Sequence, residues 1–169
     1  MLKIREKLES VMASGSTDSR RPILGKGNES NVKGLYIIGD LAGAPVIKLA
    51  MAQGFEVIET IRALTDMKQH TGGAHEDEDG IIDVLIVGAG ASGLNAALAC
   101  QEHGMSHVVL EKGKIANTIE NFPEGKWVYA EPDDTPPKGK LWLDGARKED
   151  LIDRWTQIVQ QNKLNLHTE

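Results

Sequence analysis

The chain has 169 residues, a formal net charge of −6 and a pI near 5.4. This acidic balance, without any basic cluster, argues against a nucleic-acid partner. No apolar run approaches the ~20 residues that a membrane helix needs. The charged start of the chain lacks the apolar core of a secretion signal. We therefore expect a cytoplasmic globular protein with no membrane partner, comprising one domain and an appended segment.

The single cysteine, Cys100, excludes an intramolecular disulfide and a C-x-x-C redox pair. It falls inside a predicted helix, between Ala99 and Gln101. A small buried hydrophobic residue is the favoured interpretation over a reactive thiol.

Residues 1–68 form the first predicted segment. An amphipathic helix over residues 1–14 is followed by a loop, and an apolar strand over residues 34–38 then leads into Gly39-Asp40 and a helix. An Asp at the carboxyl end of a strand can accept hydrogen bonds from sugar-like hydroxyls, and the helix start can face an electron-rich ring edge. A purely structural turn explains the Gly-Asp pattern equally well.

Residues 69–79 are rich in glycine and charge and are predicted to be a flexible linker. His70 and His75, with the acidic residues beside them, could be interpreted as a metal cluster. Incidental histidines in an acidic linker are the commoner case, and no metal site is predicted.

Residues 82–111 read as a strand, a glycine turn, a helix and a second strand. The turn has the spacing G-x-G-x-x-G that binds dinucleotides. Gly88 permits the tight turn, Gly90 leaves room for a pyrophosphate, and Gly93 lets the helix pack close to the strand. The helix start offers free N–H groups to the phosphates. Glu111, which ends the second strand, can accept hydrogen bonds from a ribose. The other predicted contacts are Ala89, Ala91, Ser92 and Lys112.

Beyond the second strand, residues 114–144 are predicted to be mostly loop. Residues 146–163 return to a helical pattern, with an apolar face made by Leu151, Ile152, Trp155, Ile158 and Val159. Residues 164–167 look like the start of another strand. The predicted fold is α/β, with a Rossmann-like parallel sheet flanked by helices and the dinucleotide at the carboxyl ends of its strands. Residues 80–169 would form a dinucleotide-binding half-domain, expected to be truncated.

The glycine turn with its glutamate and the Gly-Asp motif together resemble the pyridine-nucleotide disulfide oxidoreductase class, especially its thioredoxin-reductase-like branch. The resemblance implies FAD: Gly88, Gly90, Gly93 and Glu111 would hold its adenosine end, and Gly39-Asp40 its ribityl chain. Residues 118–123, TIENFP, resemble the segment that runs past the flavin, which makes Thr118 and Asn121 candidate flavin contacts. An ordinary proline-terminated loop is the alternative there. The Trp- and Pro-rich stretch up to residue 144 loosely resembles the bacillithiol-disulfide-reductase-like relatives.

The chain departs from that family in three ways. The Gly-Asp motif precedes the glycine turn instead of following it, there is no second G-x-G-x-x-G unit for NAD(P)H, and there is no C-x-x-C. A permuted chain could still place both motifs in one site, or they could belong to two separate units.

The sequence thus predicts the FAD-binding portion of a flavin-dependent NAD(P)H oxidoreductase with an unknown acceptor. NAD(P)H is the reductant of the wider family, and its domain is not present in this chain. A partner domain or a homo-oligomer is a further expectation. The alternatives are a non-catalytic nucleotide-binding module and a fragment of an NAD-dependent dehydrogenase. No catalytic residue is assigned.

Overall fold

A computed structural model of the chain describes residues 22–65 and 81–169. The α-helices are α1 Ile47–Thr65, α2 Ala91–Glu102, α3 Asn117–Glu120 and α4 Lys148–Gln161, and short 3-10 helices occupy Lys26–Asn28 and Gly39–Ala42. The strands are β1 Val84–Val87, β2 His107–Glu111, β3 Trp127–Val128, β4 Ala146–Arg147 and β5 Leu166–Thr168. The predicted helix 1–14 and the predicted linker 69–79, with His70 and His75, lie outside the described residues.

Three parallel strands form the main sheet in the order β1-β2-β5. Val87 pairs with Leu110 across β1 and β2, and Val109 pairs with Leu166 across β2 and β5. Helix α2 connects the first pair and α4 precedes β5, as parallel neighbours require a crossover connection. The predicted α/β fold is confirmed. None of the helices in the described ranges is both long and apolar enough to cross a membrane.

The core lies between the sheet and the helices, and α2 is buried along most of its length, from Gly93 to Cys100. The predicted apolar face of α4 is confirmed, because Leu151, Trp155 and Val159 are buried and the two isoleucines pack against them. Burial raises the pKa of the Cys100 thiol to about 12, and the Asp83 charge adds to the effect. A thiol that stays protonated in the core is a packing residue.

The predicted strand over residues 34–38 is not formed as a strand. Among the described residues, it pairs through one antiparallel bridge, Glu29 to Tyr36, flanked by hydrogen bonds from Ser30 N to Leu35 O and from Ile37 N to Asn28 O. The apolar pattern favours extended backbone, but the segment pairs only with a short turn-rich stretch. The segment still delivers Gly39 to the start of a 3-10 helix.

His107 is a fully buried histidine at the start of β2. Its Nδ1 lies 3.2 Å from the Met105 carbonyl oxygen, and its Nε2 has no hydrogen-bond partner among the residues that the structure describes. Burial lowers the pKa of this imidazole, because a charged ring would lose its hydration. His107 is therefore a neutral core residue.

We expect the free energy of unfolding to fall as the pH is lowered through the ordinary histidine pKa of about 6.5. Below that value the unfolded chain binds a proton that folded His107 resists, so its contribution is complete above that pH and is lost on acidification. The slope from this one proton is at most about 1.4 kcal/mol per pH unit. Urea titrations at stepped pH measure it. His107→Leu should flatten the slope and His167→Leu, at an exposed position, should not. An unchanged slope in His107→Leu would contradict the assignment.

Candidate cofactor-binding site

The glycine turn between β1 and α2 shows a separate physical reason for each of its three glycines. Gly88 has a φ of +102°, in the region that favours glycine. A Cβ at Gly90 would meet no atom within 4 Å, so the space outside this residue is open. A Cβ at Gly93 would lie 2.0 Å from the Gly88 carbonyl oxygen, so this glycine is required for the helix to pack on the turn.

Helix α2 begins at the open side of the turn. Its N-cap, Gly90, has extended backbone and makes no side-chain capping bond. The first hydrogen bond within the helix runs from Leu94 N to Gly90 O. The N–H groups of Ala91, Ser92 and Gly93 come before it and therefore have no acceptor within the helix. Uncapped donors at the positive end of a twelve-residue helix favour an anion such as a phosphate.

Glu111 lies beside the turn at the end of β2. Its Oε2 accepts the Ala89 N–H at 2.7 Å, and its Oε1 accepts the Gly113 N–H at 2.8 Å. The two backbone donors fix the carboxylate at the mouth of the glycine turn, and each oxygen keeps a lone pair for a hydroxyl donor. The next residue, Lys112, is exposed.

The segment after β2 returns to the glycine turn. Ala116, in left-handed conformation, donates its N–H to the Ala89 carbonyl oxygen at 2.9 Å and begins α3. Ile119 anchors this short helix in the core, whereas Thr118 and Asn121 are exposed. The structure therefore places the TIENFP segment beside the turn, with both candidate contacts on its solvent side.

The Gly-Asp motif contacts the same turn from the other side. Gly39 has a φ of +76°. Its N–H donates a hydrogen bond to Gln53 Oε1 of α1 at 2.8 Å. A Cβ at Gly39 would lie 2.7 Å from Ser92 Oγ. Gly54 of α1 approaches even closer, because its Cβ would lie 2.1 Å from the Ser92 carbonyl oxygen. Asp40 follows with an exposed side chain.

Two motifs that lie about fifty residues apart in the chain thus meet at Ser92, in the first turn of α2. Their order in the chain does not keep them apart, since α1 crosses α2 at the glycine contact. Glycine at a helix crossing permits this close backbone approach.

Sequence reasoning missed three residues that shape this region. Gln53 orients Gly39, and Asn95, fully buried in α2, donates from its Nδ2 to the Met51 carbonyl oxygen of α1 at 2.7 Å. Lys48, in the first turn of α1, is only 5% exposed and donates from its Nζ to the Pro132 carbonyl oxygen at 2.7 Å. In the sequence, each of these three is a polar residue inside an otherwise apolar helix pattern, and this pattern does not identify its hydrogen-bond partner.

The open cradle at Gly90, the uncapped start of α2 and the fixed carboxylate of Glu111 fit the pyrophosphate and ribose of an adenine dinucleotide. Asp40 is exposed and follows Gly39, where a Cβ would lie 2.7 Å from Ser92 Oγ. Within residues 22–65 and 81–169, no three His, Cys, Asp or Glu side chains come together as metal ligands.

Residues 85–130 match the model of the family described as pyridine nucleotide-disulphide oxidoreductase. This range contains the glycine turn, Glu111 and the TIENFP segment, and it supports a relationship to that family for this part of the chain. Gly39-Asp40 lies outside it.

Two individual proteins are similar to parts of the chain. The vinyl phenol reductase of Lactiplantibacillus plantarum is 44% identical over 43 residues, which are 25% of this chain and 9% of that protein. The solved structure of the bacillithiol disulfide reductase Bdr from Staphylococcus aureus is 20% identical, with a TM-score of 0.42. That match covers 52% of this chain and 28% of the reductase. The chain therefore spans only a small part of the length of either protein.

Proposed function

We propose that this chain is the FAD-binding portion of a flavin-dependent NAD(P)H oxidoreductase. The observation that carries the proposal is the meeting of Gly39-Asp40 with the G-x-G-x-x-G turn at Ser92. A glycine turn alone suits NAD as well as FAD. Gly39 of the second motif lies against the same helix start, and the exposed acidic residue that follows it suits the longer and hydroxyl-rich chain of FAD.

The predicted site residues of the two motifs and of the TIENFP segment have binding tasks in this proposal, whereas Lys112 has none. The turn from Gly88 to Gly93 and the start of α2 would hold the pyrophosphate, and Glu111 would accept hydrogen bonds from the adenosine ribose. Asp40 would accept hydrogen bonds from the ribityl hydroxyls. The exposed Thr118 and Asn121 would lie on the flavin side of the turn.

Bound FAD would supply hydride and electron transfer between NAD(P)H and an acceptor, while the protein binds and orients it. NAD(P)H would be held by a partner domain or a second copy of the chain. An NAD-dependent dehydrogenase would use the same glycine turn, but Gly39-Asp40 would then have no role in cofactor binding.

A visible absorption spectrum of the purified protein tests the cofactor. After incubation with FAD and removal of the excess, we expect flavin bands near ~450 nm. A colourless protein that binds NAD and has no affinity for FAD would overturn the proposal. If the protein is yellow, anaerobic NADPH distinguishes a complete hydride path, which bleaches the flavin, from a binding module, which does not.

Replacing Asp40 by alanine should weaken FAD binding, because the ribityl hydroxyls lose a charged acceptor worth about 1.5–3 kcal/mol. This corresponds to a roughly 10- to 100-fold rise in the dissociation constant. Flavin fluorescence quenching measures it. Asp153→Ala, which removes an exposed carboxylate from α4, is the matched control and should leave FAD affinity unchanged. Equal affinities of the two variants would show that Gly39-Asp40 does not belong to the flavin site.

A further inference from the structure

A cleft of about 580 Å³ separates the first turn of α1 from the segment between Ala130 and Asp144. Lys48 lies on the α1 side of the cleft, and Pro137, Leu141, Trp142 and Leu143 line its other side. Its volume is within the range of small-molecule sites in proteins, which are mostly apolar with a few placed polar groups. None of the residues proposed to hold FAD lines it.

Lys48 is the buried charge of this cleft. The residue is 5% exposed, and its ammonium donates to one neutral acceptor, the Pro132 carbonyl oxygen at 2.7 Å. Among the described residues, no carboxylate forms an ion pair with it. A buried ammonium has three N–H donors, and it is costly to bury without an opposite charge. Within the described part of the chain, Lys48 therefore has N–H donors without a partner and a positive charge without an ion pair at the cleft.

The other charged residues of the cleft are exposed. Asp133 and Asp144 are solvent-accessible, and the side chain of Lys140 is 58% exposed and lies 3.6 Å from the Glu102 carboxylate. Water screens charges in such positions strongly. Lys48 consequently determines the sign of the charge that the interior of the cleft accepts.

The walls of the cleft are held by buried contacts. Asn95 donates from its Nδ2 to the Lys138 carbonyl oxygen at 2.8 Å, and its Oδ1 accepts the Leu141 N–H at 3.1 Å. The Trp142 carbonyl oxygen accepts Trp155 Nε1 at 2.6 Å, so the segment is tied to α4 as well. A cleft fixed on both sides loses little conformational freedom when a ligand enters.

We propose that this cleft binds a small organic carboxylate with a flat apolar body, its carboxylate on Lys48 and its body against Trp142 and the neighbouring leucines. The Lys48 ammonium would supply the counter-charge, and the aliphatic walls and the Trp142 ring, which carries the Arg154 guanidinium 5.9 Å from its centroid, would supply apolar contact. This proposal does not depend on FAD binding, since it uses different residues.

Thermal unfolding of the full chain in the absence of FAD tests the proposal with sodium benzoate as the probe, at constant ionic strength. A rise in Tm of roughly 3–6 °C is expected at ten times the dissociation constant, and it should grow with the logarithm of the benzoate concentration above that. Benzamide, which has the same shape without the charge, should give a much smaller rise. Inorganic phosphate, which has the negative charge without the apolar body, should not raise the Tm. A rise that is equal for benzoate and benzamide, or absent for benzoate, would overturn the proposal.

Lys48→Gln keeps a donor for the Pro132 carbonyl oxygen and removes the charge, so the benzoate-dependent rise should be lost. Lys138→Gln is the matched control, because it removes a cation from the adjacent loop whose Nζ pairs with Glu56 outside the cleft. It should retain the full rise. Retention in Lys48→Gln, or loss in Lys138→Gln, would contradict the assignment. If Lys48→Gln does not fold, the comparison of benzoate with benzamide on the unaltered chain still decides.

Discussion

Replacing Gly54 by alanine should lower the free energy of unfolding by about 2–3 kcal/mol, although alanine is the better helix former. In an open helix the exchange would be worth about 1 kcal/mol in favour of alanine. Here the added Cβ would lie 2.1 Å from the Ser92 carbonyl oxygen and 3.1 Å from its Cα. Backbone atoms cannot rotate away, so the two helices must separate, and a contact this short costs about 3–4 kcal/mol, at or above the upper end of the usual range for overpacking. About 2–3 kcal/mol of destabilisation is left after the gain in helix propensity.

The measurement is thermal or urea unfolding of the full chain, where the loss corresponds to roughly 5–10 °C in Tm. Ala63→Gly is the control, at an exposed position of the same helix. It should destabilise through propensity alone, by about 1 kcal/mol. If both substitutions followed propensity, so that Gly54→Ala stabilised the protein, the close crossing of α1 and α2 would be wrong.

The elements around the glycine turn could be predicted from the sequence because their information is local. The apolar run before Gly88, the glycine spacing and the apolar run before Glu111 determine strand, turn, helix and strand within thirty residues. The observed β1, α2 and β2 follow that order. The same holds for α4, whose apolar residues repeat at helical spacing and are buried as predicted.

The contacts between distant segments could not be predicted in this way. Residues 34–38 have the apolar pattern of a strand, yet residues 22–65 and 81–169 offer no full-length strand to pair with them, and one bridge forms there. Strand formation depends on the pairing partner and not only on propensity. The environment of Lys48 depends on Pro132, more than eighty residues away, and a lysine in a helix is ordinarily exposed.

The question that the sequence left open was whether the two motifs share one region. Their meeting depends on close approaches among Gly39, Gly54 and Ser92, and Gly54 belongs to neither motif. Their importance comes from the absence of atoms, which lets α1 and the Gly-Asp turn approach the start of α2. The close backbone approach that a glycine permits can be recognised only when the position of the opposing backbone is known.

Substitutions at two glycines of the turn should show which of them is needed for cofactor binding and which for folding. Gly90 has φ of −84° and ψ of −172°, which any residue adopts, and a Cβ there meets no protein atom. Gly90→Val should therefore leave the Tm of the FAD-free protein nearly unchanged while placing methyl groups where the pyrophosphate would lie. We expect the dissociation constant for FAD to rise by roughly 10- to 100-fold, equivalent to about 1.4–2.8 kcal/mol.

Gly93→Ala should behave in the opposite way, because its Cβ would lie 2.0 Å from the Gly88 carbonyl oxygen. It should destabilise the FAD-free protein by several degrees in Tm before any ligand is added, through overpacking of the helix on the turn. Differential scanning fluorimetry without FAD and fluorescence titration with FAD give the two readouts on the same samples. Unaltered FAD affinity in a folded Gly90→Val variant would exclude the glycine turn as the phosphate site. Loss of stability in Gly90→Val equal to that in Gly93→Ala would instead show that the space outside Gly90 is not open, because only a filled space makes a side chain there costly without a ligand.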